Sequence, residues 1–246
     1  MNVTTGKQTM EYSQEHAEIY DAIHASRGRD WAAEASGMTE LVRQRFPAAD
    51  SLLDVACGTG EHLRHFARHF GAVAGLELSE GMREIAAAKL PGVPVHPGDM
   101  RDFDLGRTFD AVTCMCFSLG YMDSVGDLHD AIESLARHTV PGGVVITEPW
   151  WFPEKFLDGF VSGAVTHEEH RVISRVSHSV RDGRTSRMTV RYTVAEPGGI
   201  RDFTETEVHS LFTLDEYLSG FAAAGIEAQY TEGGPNGRGL FVGVRK

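Results

Sequence analysis

The sequence predicts an α/β protein, a doubly wound and mostly parallel sheet with an antiparallel β meander inserted after its fifth strand, on three observations. An apolar run, Leu52 to Val55, leads through Ala56 and Cys57 into the glycine turn Gly58-Thr59-Gly60 and then into a helical stretch. Strand-like and helix-like segments alternate from there as far as residue 148. After Pro149 the pattern changes to consecutive β-like runs joined by turn residues. Strands separated by helices are covered on both faces and read as unbroken apolar runs, as residues 143–147 do.

Taken in order, residues 1–11 are expected to be disordered, and Ser13 is the candidate N-cap of a first helix with Ala17, Ile19, Tyr20 and Ile23 on one stripe. Tyr12 and Tyr20 read either as aromatic packing or as part of a lid. A second helix carries Trp31, Ala35, Met38 and Val42 at helical spacing and closes near Phe46-Pro47. Strands are predicted at 51–56, 72–77, 93–96, 109–117 and 143–148, and helices at 61–70, 80–90 and 125–138. Residues 170–180, 186–194 and 203–212 then read as strands, joined by Arg181-Asp-Gly-Arg184 and Glu196-Pro-Gly-Gly199. A last helix, 213–224, stops at Gly225 as at a C-cap, and 226–230 with 239–244 form a closing hairpin. The pattern describes one domain, residues 1–246, with an embedded β platform at 165–212 for substrate or dimer contacts.

The glycine turn reads as a seat for a small nucleotide-like molecule, because Gly58 and Gly60 let the backbone pass where a Cβ would clash. A dinucleotide fingerprint needs a third glycine three residues on, and that position is Leu63. An acidic Asp54 at the strand tip would also repel a pyrophosphate. S-adenosylmethionine has no phosphate and carries a cationic amino acid tail. It fits a strand ending in Asp54, a Glu77 placed for both ribose hydroxyls, and the following Gly98-Asp99-Met100. Ligands bind such sheets at the carboxyl ends of the strands, so Asp54, Glu77, Asp99, Met115 and Glu148 should line one rim.

The net charge of -12 argues against nucleic acid as a partner, and an anionic substrate would need a local arginine cluster. No apolar run approaches the roughly 20 residues that span a bilayer. Cys114 and Cys116, two apart on one predicted strand, read as small core residues; with Cys57 they suggest no disulfide framework, and a cytoplasmic protein is expected. His62, His65 and His69 read as histidines of a polar helix face, and no metal spacing is present.

Several runs together resemble a narrow family: Leu53-Asp-Val-Ala-Cys-Gly-Thr-Gly60, Gly75-Leu-Glu-Leu-Ser79, Gly98-Asp-Met-Arg-Asp-Phe103, Glu148-Pro-Trp-Trp-Phe-Pro153, Ser174-Arg-Val-Ser-His-Ser179 and Gly233-Gly-Pro-Asn-Gly-Arg-Gly239. The family is the S-adenosylmethionine-dependent N,N-dimethyltransferases of TDP-linked aminodeoxyhexoses used in antibiotic assembly. The resemblance implies the class I methyltransferase fold, a Rossmann-like doubly wound sheet, and a homodimer that the meander could mediate. It implies cofactor contacts from Tyr20, Ala56, Gly58, Gly60, Glu77, Asp99, Met100 and Met115. On the nucleotide-sugar side it implies Tyr12, Trp150, Trp151, Phe152, Arg175, Ser177, His178 and Arg238, the arginines facing the diphosphate. Read without it, the Trp-Trp-Phe run could be core anchors at a strand end, and His178 could merely face solvent.

One position departs from the family. Where the macrolide enzymes carry Ser-Ser-Ile-Gly-His, this chain has Phe117-Ser-Leu-Gly-Tyr121. A tyrosine is a poor base near neutral pH, with an unperturbed pKa of about 10. Either the histidine is dispensable or the amine sits elsewhere on the sugar, at C4 rather than C3. Methyl transfer from a sulfonium needs orientation more than a base, but the ammonium must lose a proton between two methylations. Water, Tyr12, Tyr121 or Glu148 could relay it, and Tyr12 and Tyr121 are the catalytic candidates. The alternatives are another small-molecule methyltransferase on the same fold and a non-catalytic ligand-binding module.

Overall fold

The computed structural model describes residues 13–246. The expectations placed on residues 1–11 and on Tyr12 therefore lie outside the described residues. Five strands are parallel neighbours: β1 (Ser51–Val55), β2 (Ala72–Glu77), β3 (Val95–Pro97), β4 (Phe109–Cys114) and β5 (Thr139–Thr147). A second sheet follows them in the chain, antiparallel throughout: β6 (Phe160–His167), β7 (Val172–Asp182), β8 (Thr185–Glu196) and β9 (Gly199–Ser210). The closing hairpin, β10 (Ile226–Thr231) and β11 (Leu240–Arg245), returns to the first sheet and gives it the order β10-β11-β5-β4-β1-β2-β3. The chain winds outward from β1 through β2 to β3 and then in the other direction through β4. The ends of β1 and β4 thus flank a topological switch point, where the crevice of such a sheet lies.

Helices α1 (Gln14–Ser26), α2 (Trp31–Arg45), α3 (Glu61–Phe66), α4 (Glu80–Lys89), α5 (Val125–Arg137) and α6 (Leu214–Ala223) complete the chain. Successive strand residues point to opposite faces, so Leu52 packs with Met38, Val42 and Phe66 on one side while Leu53 packs with Leu128, Ile132 and Phe221 on the other. Starts are capped as the sequence suggests: Ser13 Oγ accepts the His16 N–H at 3.2 Å, and Thr213 with Glu216 forms a capping box. Leu63, the residue that stands where a third glycine would, packs against the strand because Gly75 on β2 makes room. A Cβ at Gly75 would lie 3.0 Å from Leu63 Cδ2 and 2.7 Å from Cys57 Sγ.

The second sheet buries only its inner face. Ile19 and Ile23 of α1 pack there against Ile173, Val190, Tyr192 and Val194, each fully buried apolar side chain contributing roughly 1.5–3 kcal/mol. Helix α1 therefore ties the meander to the crevice of the main sheet. Among the described residues no helix is long and apolar enough to cross a membrane.

Three expectations need correction. The meander has four strands, not three: β6 lies at an edge with most of its side chains exposed, so its sequence carries little burial contrast. Strand β4 ends at Cys114 rather than 117, because Cys116 and Phe117 both turn left-handed at φ 56°. Cys116 is consequently no core partner of Cys114; it is half-buried and faces a cavity.

Candidate functional site

Two cavities lie at the carboxyl ends of the parallel strands, and the segment after β4 runs between them: Met115, Cys116, Ser118 and Tyr121 line the first and Phe117 the second. The first takes Ala56 and Gly58 after β1, Glu77 at the end of β2, Asp99 and Met100 after β3, Met115 after β4, and Tyr20 from α1. Its floor is strained where the ligand would approach: Ala56 and Gly58 have φ of 55° and 56°, a region costly for a residue with a Cβ. A Cβ added to Gly58 would meet no protein atom within 4 Å and would project into that cradle. Gly60 has another task. It starts α3 at φ 81°, and a Cβ there would meet Leu90 Cδ1 at 3.0 Å, so its contact is with the protein and not with the cavity.

Charge is arranged along this cavity in a definite order. The Glu77 carboxylate accepts the Gly58 N–H at 2.9 Å and the Ser79 N–H at 2.8 Å, and burial pushes its pKa up. Asp54, 2% exposed, accepts the Thr113 hydroxyl at 2.7 Å and is raised by burial to about 6. His62 lines the same cavity, 2.8 Å from Glu34. Burial works against its charge, but hydrogen bonding to Cys116 and Glu34 outweighs burial and lifts its pKa to about 9. Arg29 forks the same Glu34 at 3.0 and 2.5 Å and reaches Cys116 Sγ at 3.2 Å. An anion and a cation side by side suit a zwitterionic amino acid tail, and a carboxylate held by backbone N–H groups suits a ribose diol. These residues therefore fit S-adenosylmethionine. Reading His62 as a polar-face histidine is thus corrected: it sits on the inner side of α3, directly after the glycine turn.

The second cavity is lined by Trp150, Trp151, Phe117, Ser177 and four arginines, Arg27, Arg29, Arg175 and Arg238. The Arg238 guanidinium lies 4.6 Å from the ring centres of Phe117 and Trp150 and 5.1 Å from that of Trp151. Burial lowers its pKa to about 10, with Glu148 opposing, which leaves it charged at neutral pH. Here is the local positive cluster that an anionic substrate would need against a net charge of -12. Glu148 stands behind the cavity wall, fully buried, with both oxygens taking the Asn236 amide at 2.7 and 2.9 Å. It anchors the loop that carries Arg238 and does not line the rim expected for it.

Where the cavities meet, a stack of rings holds Tyr121. His209 lies flat on Trp150, 4.2 Å between centroids at 17°, and 4.3 Å from the Tyr121 ring. Gly120 permits this packing, since a Cβ there would come 2.8 Å from that of Trp150. Tyr121 faces the first cavity and donates from its hydroxyl to Glu207 at 3.3 Å. Glu207, on the inner face of β9, belongs to none of the sequence motifs that mark the site.

Two further expectations are corrected. Phe152 belongs to the core, 3% exposed among Tyr217, Tyr230 and Phe241, as the next residue after two that face the cavity. His178 is exposed on the outer face of β7, opposite to Arg175, Ser177 and Ser179, because side chains alternate along a strand. Among the described residues no group of three or more His, Cys, Asp or Glu is arranged to hold a metal.

A family described as Methyltransferase domain matches residues 52–143, the stretch from the first strand into the fifth. A dTDP-4-amino-2,3,4,6-tetradeoxy-D-glucose N,N-dimethyltransferase of Saccharopolyspora spinosa is 64% identical over 95% of this chain and 94% of its own. A dTDP-3-amino-3,4,6-trideoxy-alpha-D-glucopyranose N,N-dimethyltransferase of Streptomyces venezuelae is 54% identical over 95% and 99%. Among solved structures, S-adenosylmethionine-bound CalS10, an amino pentose methyltransferase from Micromonospora echinaspora involved in calicheamicin biosynthesis, is 45% identical. It superposes with a TM-score of 0.87 over 97% of this chain and 99% of its own.

Proposed function

The chain belongs to the S-adenosylmethionine-dependent N,N-dimethyltransferases of dTDP-linked amino deoxysugars, and on that premise we propose that its acceptor is the C4 amine of the sugar. It is a methyltransferase of class I fold that uses S-adenosylmethionine to methylate the amine of a nucleotide-linked aminodeoxyhexose in antibiotic deoxysugar assembly. The observation that carries the C4 reading is Tyr121, which lines the first cavity and stacks through His209 toward Trp150 of the second, at the position where the resemblance implies a histidine for C3 amines. The higher identity to the 4-amino enzyme, 64% against 54%, agrees with it.

In this reading the cofactor occupies the first cavity, with Glu77 on its ribose, Asp99 and Met100 about its adenine, and Asp54 with His62 on its amino acid tail. The bound cofactor supplies an electrophilic methyl group. The protein's part is to hold the amine in line with that methyl, and such orientation is worth up to roughly 7–11 kcal/mol of barrier in favourable cases. Arg238 and Arg175 take the diphosphate in the second cavity, while Trp150 and Trp151 wall the nucleotide. Tyr20, on the helix that ties the meander to the crevice, closes over the first.

We further read the protein as a cytoplasmic homodimer. The outer face of the meander carries Val161, Val165, Val176 and Ile200, between 58% and 73% exposed, an apolar stripe suited to a second copy. His178 lies on that stripe. The acceptor is tested by the product mass after incubation with S-adenosylmethionine and a dTDP-4-amino or a dTDP-3-amino deoxyhexose. Gain of two methyl groups on the 4-amino sugar alone is expected; gain on the 3-amino sugar alone contradicts the C4 reading.

A further inference from the structure

We propose that Glu207 is the proton acceptor of the methyl transfer, reached through the hydroxyl of Tyr121. The inference rests on the reading above only in that the amine must approach Tyr121. Tyr121 faces the cofactor cavity while its hydroxyl lies 3.3 Å from Glu207 Oε2, so the two groups form a path from the reacting centre into the protein. Glu207 is 6% exposed and sits opposite Met188 in the register of β8 and β9. Among the described residues no lysine or arginine nitrogen lies within 4.0 Å of its carboxylate; His209 Nε2 lies 3.8 Å away. A carboxylate buried without a paired cation is costly, and packing alone would be served better by an apolar or amide side chain.

The groups around Glu207 explain its state. Burial pushes its pKa up to about 7, against the pull of Arg175 on β7, the Tyr121 hydroxyl and Arg27 after α1, with Glu205 on its own strand acting in the same direction as burial. Tyr192 on β8 and Tyr20 on α1 are neutral neighbours whose own pKa values its charge helps to raise. His209 is held near 3 by burial and by Arg238, so it is neutral and adds no positive charge. A carboxylate titrating near neutrality is suited to general base work, whereas a tyrosine alone is not.

The other acids are otherwise engaged. Glu148 is taken by Asn236, and Asp54 accepts the Thr113 hydroxyl. In the step, the amine lone pair forms the N–C bond as the C–S bond breaks and its electron pair remains on sulfur. The new ammonium passes a proton to Tyr121 Oη while the Tyr121 hydroxyl proton moves to Glu207 Oε2. Tyr121 ends neutral, Glu207 ends protonated, and the amine has its lone pair back for the second methyl. Glu207 then returns its proton to solvent as product leaves. Glu207 acts through Tyr121 and does not touch substrate.

The test uses full-length wild type, Glu207→Gln and Tyr121→Phe, with the pH dependence of kcat and kcat/KM measured on whichever amino sugar wild type methylates. Choice of sugar by wild type decides the functional reading by itself; the relay is decided by the profiles. Wild type is expected to gain activity as pH rises through about 7. Both variants should lose that limb, with kcat about 10²-fold down in the range typical of general bases. The KM for S-adenosylmethionine should hardly move, and mono-methylated product should accumulate. Their double variant should be no slower than either. A merely structural role would lower thermal stability and leave the limb in place. Retention of the limb in folded Glu207→Gln overturns the proposal; should that variant not fold, retention in Tyr121→Phe overturns it equally.

Discussion

Replacing Glu77 with alanine is expected to weaken cofactor binding by at least two orders of magnitude, and the number follows from how the carboxylate is held. Oε1 accepts one backbone N–H, from Ser79, and Oε2 another, from Gly58, which fixes the plane of the group. A carboxylate oxygen can accept more than one hydrogen bond, and Glu77 lines the cavity, so in the proposed reading the group takes the two ribose hydroxyls. A hydrogen bond to a charged group contributes about 1.5–3 kcal/mol, so loss of two costs roughly 3 kcal/mol or more. At about 1.4 kcal/mol per tenfold, Kd rises by ~100-fold at least. Glu77→Gln keeps one acceptor oxygen but sets its NH2 against a backbone donor, and it should fall between wild type and alanine. The assay is isothermal titration calorimetry with S-adenosylhomocysteine, beside a circular dichroism melt to establish that the variant is folded. A folded Glu77→Ala whose Kd stays within about threefold of wild type would refute the assignment of this carboxylate to the ribose.

Other consequences concern the substrate side and the sheet. Arg238→Ala should raise the KM for the nucleotide sugar more than it lowers kcat, since a diphosphate contact is made equally in ground and transition states. A fall in kcat at unchanged KM would assign Arg238 to the chemistry. Glu207 has a folded pKa raised from 4.5 to about 7, so it contributes stability that is full below pH about 4.5 and lost as pH rises through 7. That loss amounts to roughly 3 kcal/mol. The melting temperature of Glu207→Gln should therefore gain on that of wild type between pH 5 and pH 8.5; a constant gap would contradict it. Val176→Asp, placing a charge on the outer face of β7, should convert a dimer to monomer by analytical ultracentrifugation, and an unchanged mass would move the interface elsewhere.

The main sheet was legible because both its periodicities survive in the sequence: apolar runs for strands covered on both sides, and 3.6-residue stripes for the helices between them. Strand β6 was not, since an exposed edge strand has no buried face to write into its sequence. The end of β4 was misjudged because the residues there, Met115, Cys116 and Phe117, are apolar enough to continue a strand. Only the left-handed backbone at Cys116 and Phe117 turns this segment into the wall between two cavities.

The glycine turn and the acidic strand tips, which line the first cavity, are legible as motifs. His62 escaped because its charge depends on Glu34 and Cys116, residues far from it in sequence. On the meander, strand parity separates the cavity-facing residues from the rest. Arg175, Ser177 and Ser179 share one parity and one cavity, whereas His178 has the other and faces outward. The same alternation sends Glu205 and Glu207 inward from Thr204-Glu-Thr-Glu-Val208, which is how the partner of Tyr121 could have been found. What no parity reveals is which acid meets Tyr121, since that contact spans 86 residues.

The most direct measurement is a crystal structure of the enzyme with S-adenosylhomocysteine and a dTDP-4-amino deoxyhexose together. The diphosphate is expected against Arg238 and Arg175, and the sugar amine within about 2.6–3.2 Å of the Tyr121 hydroxyl, facing the cofactor sulfur. A diphosphate bound away from those arginines, or an amine turned from Tyr121 with an apolar part of the sugar in its place, would contradict it.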